Sequence, residues 1–263
     1  MLIDTHCHLD FSSFDQDRVE VIHRACDHGV KWLINPGINL ESSRKAISLT
    51  EQFPEVLAAV GVHPNEALTW DDATLDELER LAVHPRVVAI GEIGLDYYRD
   101  YSPRDRQVHI FKEQLRLAAR SGLPVIIHNR QATEDLFVIL ADWRSYVVET
   151  SPKLIERPGV LHSFSDDEQA AQKAVEMGYY LGIGGPITYP RAARLRSVVT
   201  SLDITKILLE TDSPFLPPHP YRGKRNEPVN ITMIAEKISE IRIESLDTIS
   251  RQACLNARNL FQW

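Results

Sequence analysis

Residues able to hold a metal recur along this 263-residue chain, and each follows a short apolar run. His6 and His8 stand in Asp4-Thr5-His6-Cys7-His8-Leu9-Asp10, directly after Leu2-Ile3. On a strand, side chains alternate between faces, so the two imidazoles point one way and Cys7 points the other. Paired imidazoles suit a borderline divalent ion such as Zn²⁺, Mn²⁺ or Co²⁺. His63 then follows Leu57–Gly61, Glu92 follows Val87–Gly91, His128 closes Val125–His128, and His162 closes Val160–His162. Glu210 and Asp212 stand at and just beyond the end of Ile207–Thr211, in Glu210-Thr211-Asp212-Ser213-Pro214. Four histidines and two carboxylates exceed what one tetrahedral ion needs. They suit two adjacent divalent cations, Mg²⁺, Mn²⁺ or Zn²⁺, bridged by a carboxylate and a hydroxide nucleophile. Glu92, from the middle of the strand set, is the natural bridge, and Asp212 can both ligate and take the water's proton.

Positioning these donors requires elements that deliver them to one place. Asp15 or Asp17 can cap a helix carrying Val19, Ile22 and Cys26 on one face, stopped by Gly29. Strands then read at 31–35, 57–61, 87–91, 125–128, 160–162, 179–183 and 207–211. Helices read at 39–53, around Leu75, Leu78 and Leu81, from Ser102-Pro103 to Gly122, and at 133–140, 166–177 and 191–201. Val108, Phe111, Leu115 and Ala118 form the buried stripe of the helix before Gly122. Arg144 to Pro158 is the least legible stretch, an irregular insertion or an extended helix–strand connection. Two helices fill 228–261. Eight near-continuous apolar runs, each followed by a helical stretch, imply a parallel sheet covered by helices. In an open sheet with strands one and eight at its edges, those strands would lie roughly 34 Å apart, and shared ligation would fail unless the strand order were shuffled. The chemistry therefore favours closure: a single α/β domain over residues 1–263, a (β/α)₈ TIM barrel with C-terminal helices and its site at the C-terminal strand ends.

Composition bounds the partners. A net charge of −8 excludes a broad nucleic-acid-coating surface but not a small basic mouth. Cys7, Cys26 and Cys254, odd in number and far apart, do not resemble a disulfide framework. No apolar run reaches membrane-spanning length, so a reducing cytoplasm is expected, with no membrane role and no obligate protein partner.

The motifs Asp4–Asp10, Gly61-Val62-His63-Pro64, Gly91-Glu92-Ile93-Gly94-Leu95-Asp96-Tyr97-Tyr98, Leu161-His162-Ser163-Phe164-Ser165 and Glu210–Pro214, with Tyr221–Pro228, resemble the TatD family of metal-dependent deoxyribonucleases, within the amidohydrolase-like barrels. The resemblance implies His6, His8, Glu92, His128, His162 and Asp212 as metal ligands, with His63 and Glu210 beside the metals. It also implies phosphodiester hydrolysis, commonly 3′→5′ exonuclease action on DNA. The expected substrate is DNA, single-stranded or at 3′ ends.

Each signal also has a plain reading. A histidine ending an apolar strand is usually a satisfied core residue, and most loop arginines are merely solvated. A buried carboxylate without a partner is costly, which a ligand role for Glu92 removes. His63 is expected to donate to a phosphate oxygen, with Asp212 as base and Glu210 either hydrogen-bonded to a ligand or a water or acting directly in catalysis. Arg130, Arg191, Arg194, Arg196, Arg222, Lys224 and Arg225 can make a cationic rim, and Tyr98, Tyr189 and Tyr221 can stack on bases. From that rim Arg130, Tyr98, Arg222 and Arg225 are taken as substrate-binding. The same metals could instead act on a C–N or carboxylic ester bond, as in a cyclic amidase, lactonase or deaminase. A non-enzymatic binding module would be expected to have lost ligands that are all present here.

Overall fold

The computed structural model describes residues 1–263. Strands and helices alternate as β1 (Leu2–Asp4), α1 (Arg18–Asp27), β2 (Val30–Pro36), α2 (Leu40–Gln52), β3 (Val56–Val60), α3 (Thr74–Ala82), β4 (Val87–Asp96) and α4 (Arg104–Ser121). There follow β5 (Val125–Arg130), α5 (Thr133–Thr150), β6 (Gly159–Leu161), α6 (Glu168–Glu176), β7 (Tyr180–Ile183), α7 (Ala193–Ser201), β8 (Ile207–Leu209), α8 (Ile231–Arg242) and α9 (Leu246–Phe261). The parallel strands are ordered β1 to β8, the (β/α)₈ barrel topology expected, with two further helices after β8. No helix is long and apolar enough to cross a membrane. The chain resolves into two compact units.

The first unit comprises Met1–Asn35, His162–Glu176 and Tyr180–Asn259. Within it β1 pairs with β2 through Leu2↔Val30 and Asp4↔Leu33, and β7 pairs with β8 through Leu181↔Ile207. Past its C-terminal end β1 also meets the β8 segment: Thr5 N donates to Leu209 O (3.1 Å), Asp212 N to His6 O (2.8 Å) and His8 N to Ser213 O (2.7 Å). The regular strand stops at Asp4, short of the expected histidines, because the Asp4 carboxylate accepts the His6 N–H and leaves the ladder. Cys7 nevertheless bridges Ser213 in parallel and is fully buried, so side chains still alternate through His8. On α1 the buried face is Val21, Ile22 and Ala25 rather than Val19, which is 46% exposed. Arg18 donates to Leu9 O (2.6 Å) and Phe11 O (3.2 Å), which anchors the first turn of the helix in that rotation.

The second unit comprises Pro36–Leu161, Met177–Tyr179 and Leu260–Trp263. Strands β3 to β6 pair through Ala58↔Val87, Ile90↔Val125 and Val125↔Gly159. All ten residues of β4 are buried, as befits a parallel strand covered on both faces. The illegible stretch is no insertion. Helix α5 runs on to Thr150, ten residues past the expected end, and a 3-10 turn at Pro152–Leu154 leads to β6. Trp143 and Val147 continue the buried stripe of Leu136, Ile139 and Leu140 at helical spacing. The Trp143 indole N–H donates to Leu115 O (2.7 Å), and Arg144 reaches Met177 O (2.8 Å).

Candidate metal site

In the first unit the chain just past β1 and the turn after β8 bring His6, His8 and Asp212 together. The two Nε2 atoms lie 3.1 Å apart, and Asp212 Oδ1 lies 3.8 Å from one and 3.6 Å from the other. An ion with ligands at about 2.1 Å separates neighbouring donors by roughly 3.0 to 3.4 Å. The two ring nitrogens meet that spacing, and the carboxylate oxygen stands a few tenths of an ångström beyond it. All three residues could serve as ligands of one divalent cation. His162 stacks on His6 with centroids 3.8 Å apart and a 12° tilt, and its Nδ1 lies 3.5 Å from Glu210 Oε1. Glu210 is fully buried and accepts the Ser163 N–H, which holds its carboxylate beside the His162 ring. Its Oε2 is buried with no hydrogen-bond partner.

Asp4 holds this corner in register. Its carboxylate accepts from Thr211 N (2.9 Å), Thr211 Oγ1 (2.6 Å) and His6 N (3.2 Å). Burial pushes the Asp4 carboxyl up to about 8, against the lowering effect of those hydrogen bonds. Asp212 itself sits at φ +57°, a left-handed conformation that aspartate tolerates better than most residues. Asn226, fully buried, donates to Thr211 O (2.8 Å) and Phe215 O (2.7 Å) and so closes the turn that carries Asp212.

Gly182 on β7 makes room for Glu210. A Cβ there would fall against Glu210 Oε2, well inside contact distance. Gly182→Ala is therefore expected to push the carboxylate off Ser163 and cost about 1 to 3 kcal/mol of stability. Thermal unfolding checks this, and an unchanged midpoint would show that the side chain moves at no cost.

In the second unit β4 and β5 place Glu92, Asp96 and His128 side by side, with His63 arriving after β3. Glu92 Oε1 lies 2.9 Å from His128 Nδ1 and 3.4 Å from His63 Nε2. His128 Nε2 faces Asp96 Oδ2 at 3.3 Å. A histidine that gives one N–H to a carboxylate offers its other nitrogen to a metal, so His128 would ligate through Nδ1 beside Glu92. His63 is different. Its Nδ1 accepts the Asn65 backbone N–H at 3.0 Å and must be unprotonated. A neutral ring then carries its proton on Nε2 and acts there as a donor.

Asp96 is the residue that sequence reasoning left without a role. Burial acts to raise its carboxyl, but hydrogen bonds from His128, Arg99 N and Asn65 outweigh that and hold it well below the usual carboxylate range. Two fully buried glutamines on α4 brace the backbone nearby. Gln107 accepts from Asp96 N (2.9 Å) and donates to Asp96 O (3.0 Å), and Gln114 does the same for Val62, next to His63 (2.7 and 3.0 Å). A signal existed for each: Asp96 shares strand parity with Glu92, and glutamines seven residues apart interrupt one apolar helix face.

The rim residues divide. Arg130 lies over the Tyr98 ring at 3.8 Å, and Arg222 over Tyr189 at 4.6 Å, both guanidiniums exposed. Arg225 is committed elsewhere. It donates to Asp17 Oδ1 and Oδ2 (2.8 and 2.6 Å), Glu227 Oε1 (2.9 Å) and Ser13 O (2.6 Å), which leaves it little to offer a phosphate. Asp17, expected as a helix cap, serves this pair instead and makes no cap hydrogen bond.

Residues 3–262 match the sequence model of the family described as TatD related DNase. The chain is 38% identical over 262 residues to the uncharacterized metal-dependent hydrolase YabD of Bacillus subtilis, covering all of this chain and 99% of that one. It is 35% identical over 267 residues to the 3′-5′ ssDNA/RNA exonuclease TatD of Salmonella typhimurium, covering 99% of each. The crystal structure of YjjV, a TatD homolog from Escherichia coli, superposes with a TM-score of 0.92 at 36% identity, covering 100% of this chain and 98% of that one.

Proposed function

The chain belongs to the TatD-related DNase family and is a metal-dependent hydrolase, and from that premise we propose that it cleaves phosphodiester bonds in DNA, acting from 3′ ends of single strands. The observation that carries the reading is the first-unit triad: His6, His8 and Asp212 converge as a group that could hold a metal ion, on a chain whose relatives include a named 3′-5′ exonuclease. We assign His6, His8, Glu92, His128, His162 and Asp212 as ligands of two divalent cations. Bound there, the cations supply Lewis acidity and a nucleophilic water at neutral pH.

The chain's own groups do the rest. Asp212 takes the proton of the attacking water, since its Oδ1 faces both imidazole nitrogens while its side chain stays in reach of solvent. His63 donates from Nε2 to a phosphate oxygen as negative charge builds there. Asp96 and Glu210 keep the His128 and His162 rings turned, and Arg130, Tyr98 and Arg222 meet the strand. Three cysteines, odd in number and far apart in the sequence, suit the reducing cytoplasm we propose as its compartment.

The test is single-turnover cleavage of an end-labelled single-stranded oligomer by chelator-stripped protein with Mg²⁺, Mn²⁺ or Zn²⁺ restored. A metal-dependent ladder shortening from the 3′ end, lost in Glu92→Ala, is the expected result. Intact oligomer with metal bound would overturn the nuclease reading, and amides and lactones would be tried next.

A further inference from the structure

The first-unit triad has an aromatic wall that no assigned role uses. The His8 ring stacks on Phe11 at 4.8 Å with a 28° tilt. Phe215 stands edge-on to both, 5.8 Å from Phe11 and 6.2 Å from His8. Phe215 is 49% exposed and Leu216 beside it is 38% exposed, although both follow directly on the buried turn at Ser213. An exposed phenylalanine on a mobile loop would mean little. This one is fixed: Phe215 N donates to Asp212 O (2.8 Å), Phe215 O accepts from buried Asn226 (2.7 Å), and Asn226 N donates to Pro214 O (3.0 Å). The backbone that carries the exposed ring is thus the backbone that carries the Asp212 carboxylate.

A rigid apolar ring a few ångströms from a cation ligand is matched by a planar group joined to an anion. A nucleobase on its sugar-phosphate is such a group, and aromatic stacking holds any base by its π-face. Small esters and lactones have no part that needs the wall. We propose that Phe215, backed by Phe11, is a stacking shelf for the nucleobase of the nucleotide whose phosphate lies at the His6–His8–Asp212 triad. The shelf makes this a site for nucleic-acid strands rather than for small phosphoesters. The inference rests on the nuclease reading and sharpens it.

Binding to metal-loaded, full-length protein tests the shelf, read on probes whose 3′-terminal linkage is a phosphorothioate that holds off turnover. The probes are single-stranded DNA decamers carrying 2-aminopurine at the 3′-terminal or penultimate position. Wild-type protein is expected to quench the fluorescence of one of them by stacking. Phe215→Ala is expected to remove most of that quenching and weaken binding roughly tenfold, while Phe215→Trp keeps both. No quenching by wild type, or equal quenching by Phe215→Ala, would overturn the shelf. So would self-association that Phe215→Ala abolishes, because the face would then belong to a second copy. Metal-loaded protein that cleaves the unmodified decamers without Phe215-dependent quenching keeps the nuclease and discards the shelf. Quenching without cleavage under any metal does the reverse.

Discussion

Asparagine at position 212 is expected to abolish hydrolysis while leaving the fold in place. The φ of +57° at Asp212 is as acceptable to asparagine as to aspartate, so the turn survives the exchange. The backbone hydrogen bond from its N–H to His6 O also survives, since it does not involve the side chain. What is lost is a carboxylate 3.6 to 3.8 Å from two imidazole nitrogens. An amide cannot take up the water's proton, and removal of a general base typically lowers the rate about 10²- to 10⁴-fold. Metal content measured on the same sample separates a lost base from a lost ligand. A variant that binds metal and cleaves at the wild-type rate would remove Asp212 from the base role.

Asn226→Ala is expected to give the largest stability loss of any single polar change in the first unit. Its fully buried side chain donates to two backbone carbonyls and accepts from Glu227 N (2.9 Å) and Asn230 Nδ2 (2.8 Å). Alanine leaves the buried Thr211 O and the part-buried Phe215 O without their donor. At 1 to 3 kcal/mol for each stranded group, a total of about 3 kcal/mol is expected. For a chain of this size that lowers the unfolding midpoint by roughly 6 to 12 °C. Calorimetry on the metal-free protein reads the effect apart from ligand binding. A midpoint within a degree of wild type would show that the turn holds without Asn226.

The contrast between these two residues marks what can be read from sequence. Asp212 was legible because it follows an apolar run in a position that repeats along the chain. Strands β3 to β8 announced themselves as near-continuous apolar stretches, since a parallel strand is buried on both faces. Asn226 announced nothing, because its task depends on carbonyls 11 and 15 residues away that only the folded turn presents. Arg225 misled for the same reason: a loop arginine beside a site looks like a phosphate donor until Asp17, 208 residues earlier, is found against it. The length of α5 was hidden by a low contrast between its faces, Val138 and Val148 being apolar yet more than half exposed. Asp96, Gln107 and Gln114 were visible as residue types but not as tasks. Buried polar groups draw their meaning from partners, and partners come with the tertiary fold.

The hydrogen bonds that join β1 to the β8 segment also set a clock during synthesis. His6 and Asp212 are 206 residues apart, and Asp4 meets Thr211 across 207. At about 5 to 20 residues per second, a ribosome needs roughly 10 to 40 s to make the distance from one to the other. Throughout that interval the first histidines have no carboxylate to share a cation with, and β1 has a bare edge where β8 will lie. A nascent chain halted anywhere before Asp212 thus carries part of the donor set but not the triad. The cutting activity proposed for the protein would switch on only after most of its own message has been read.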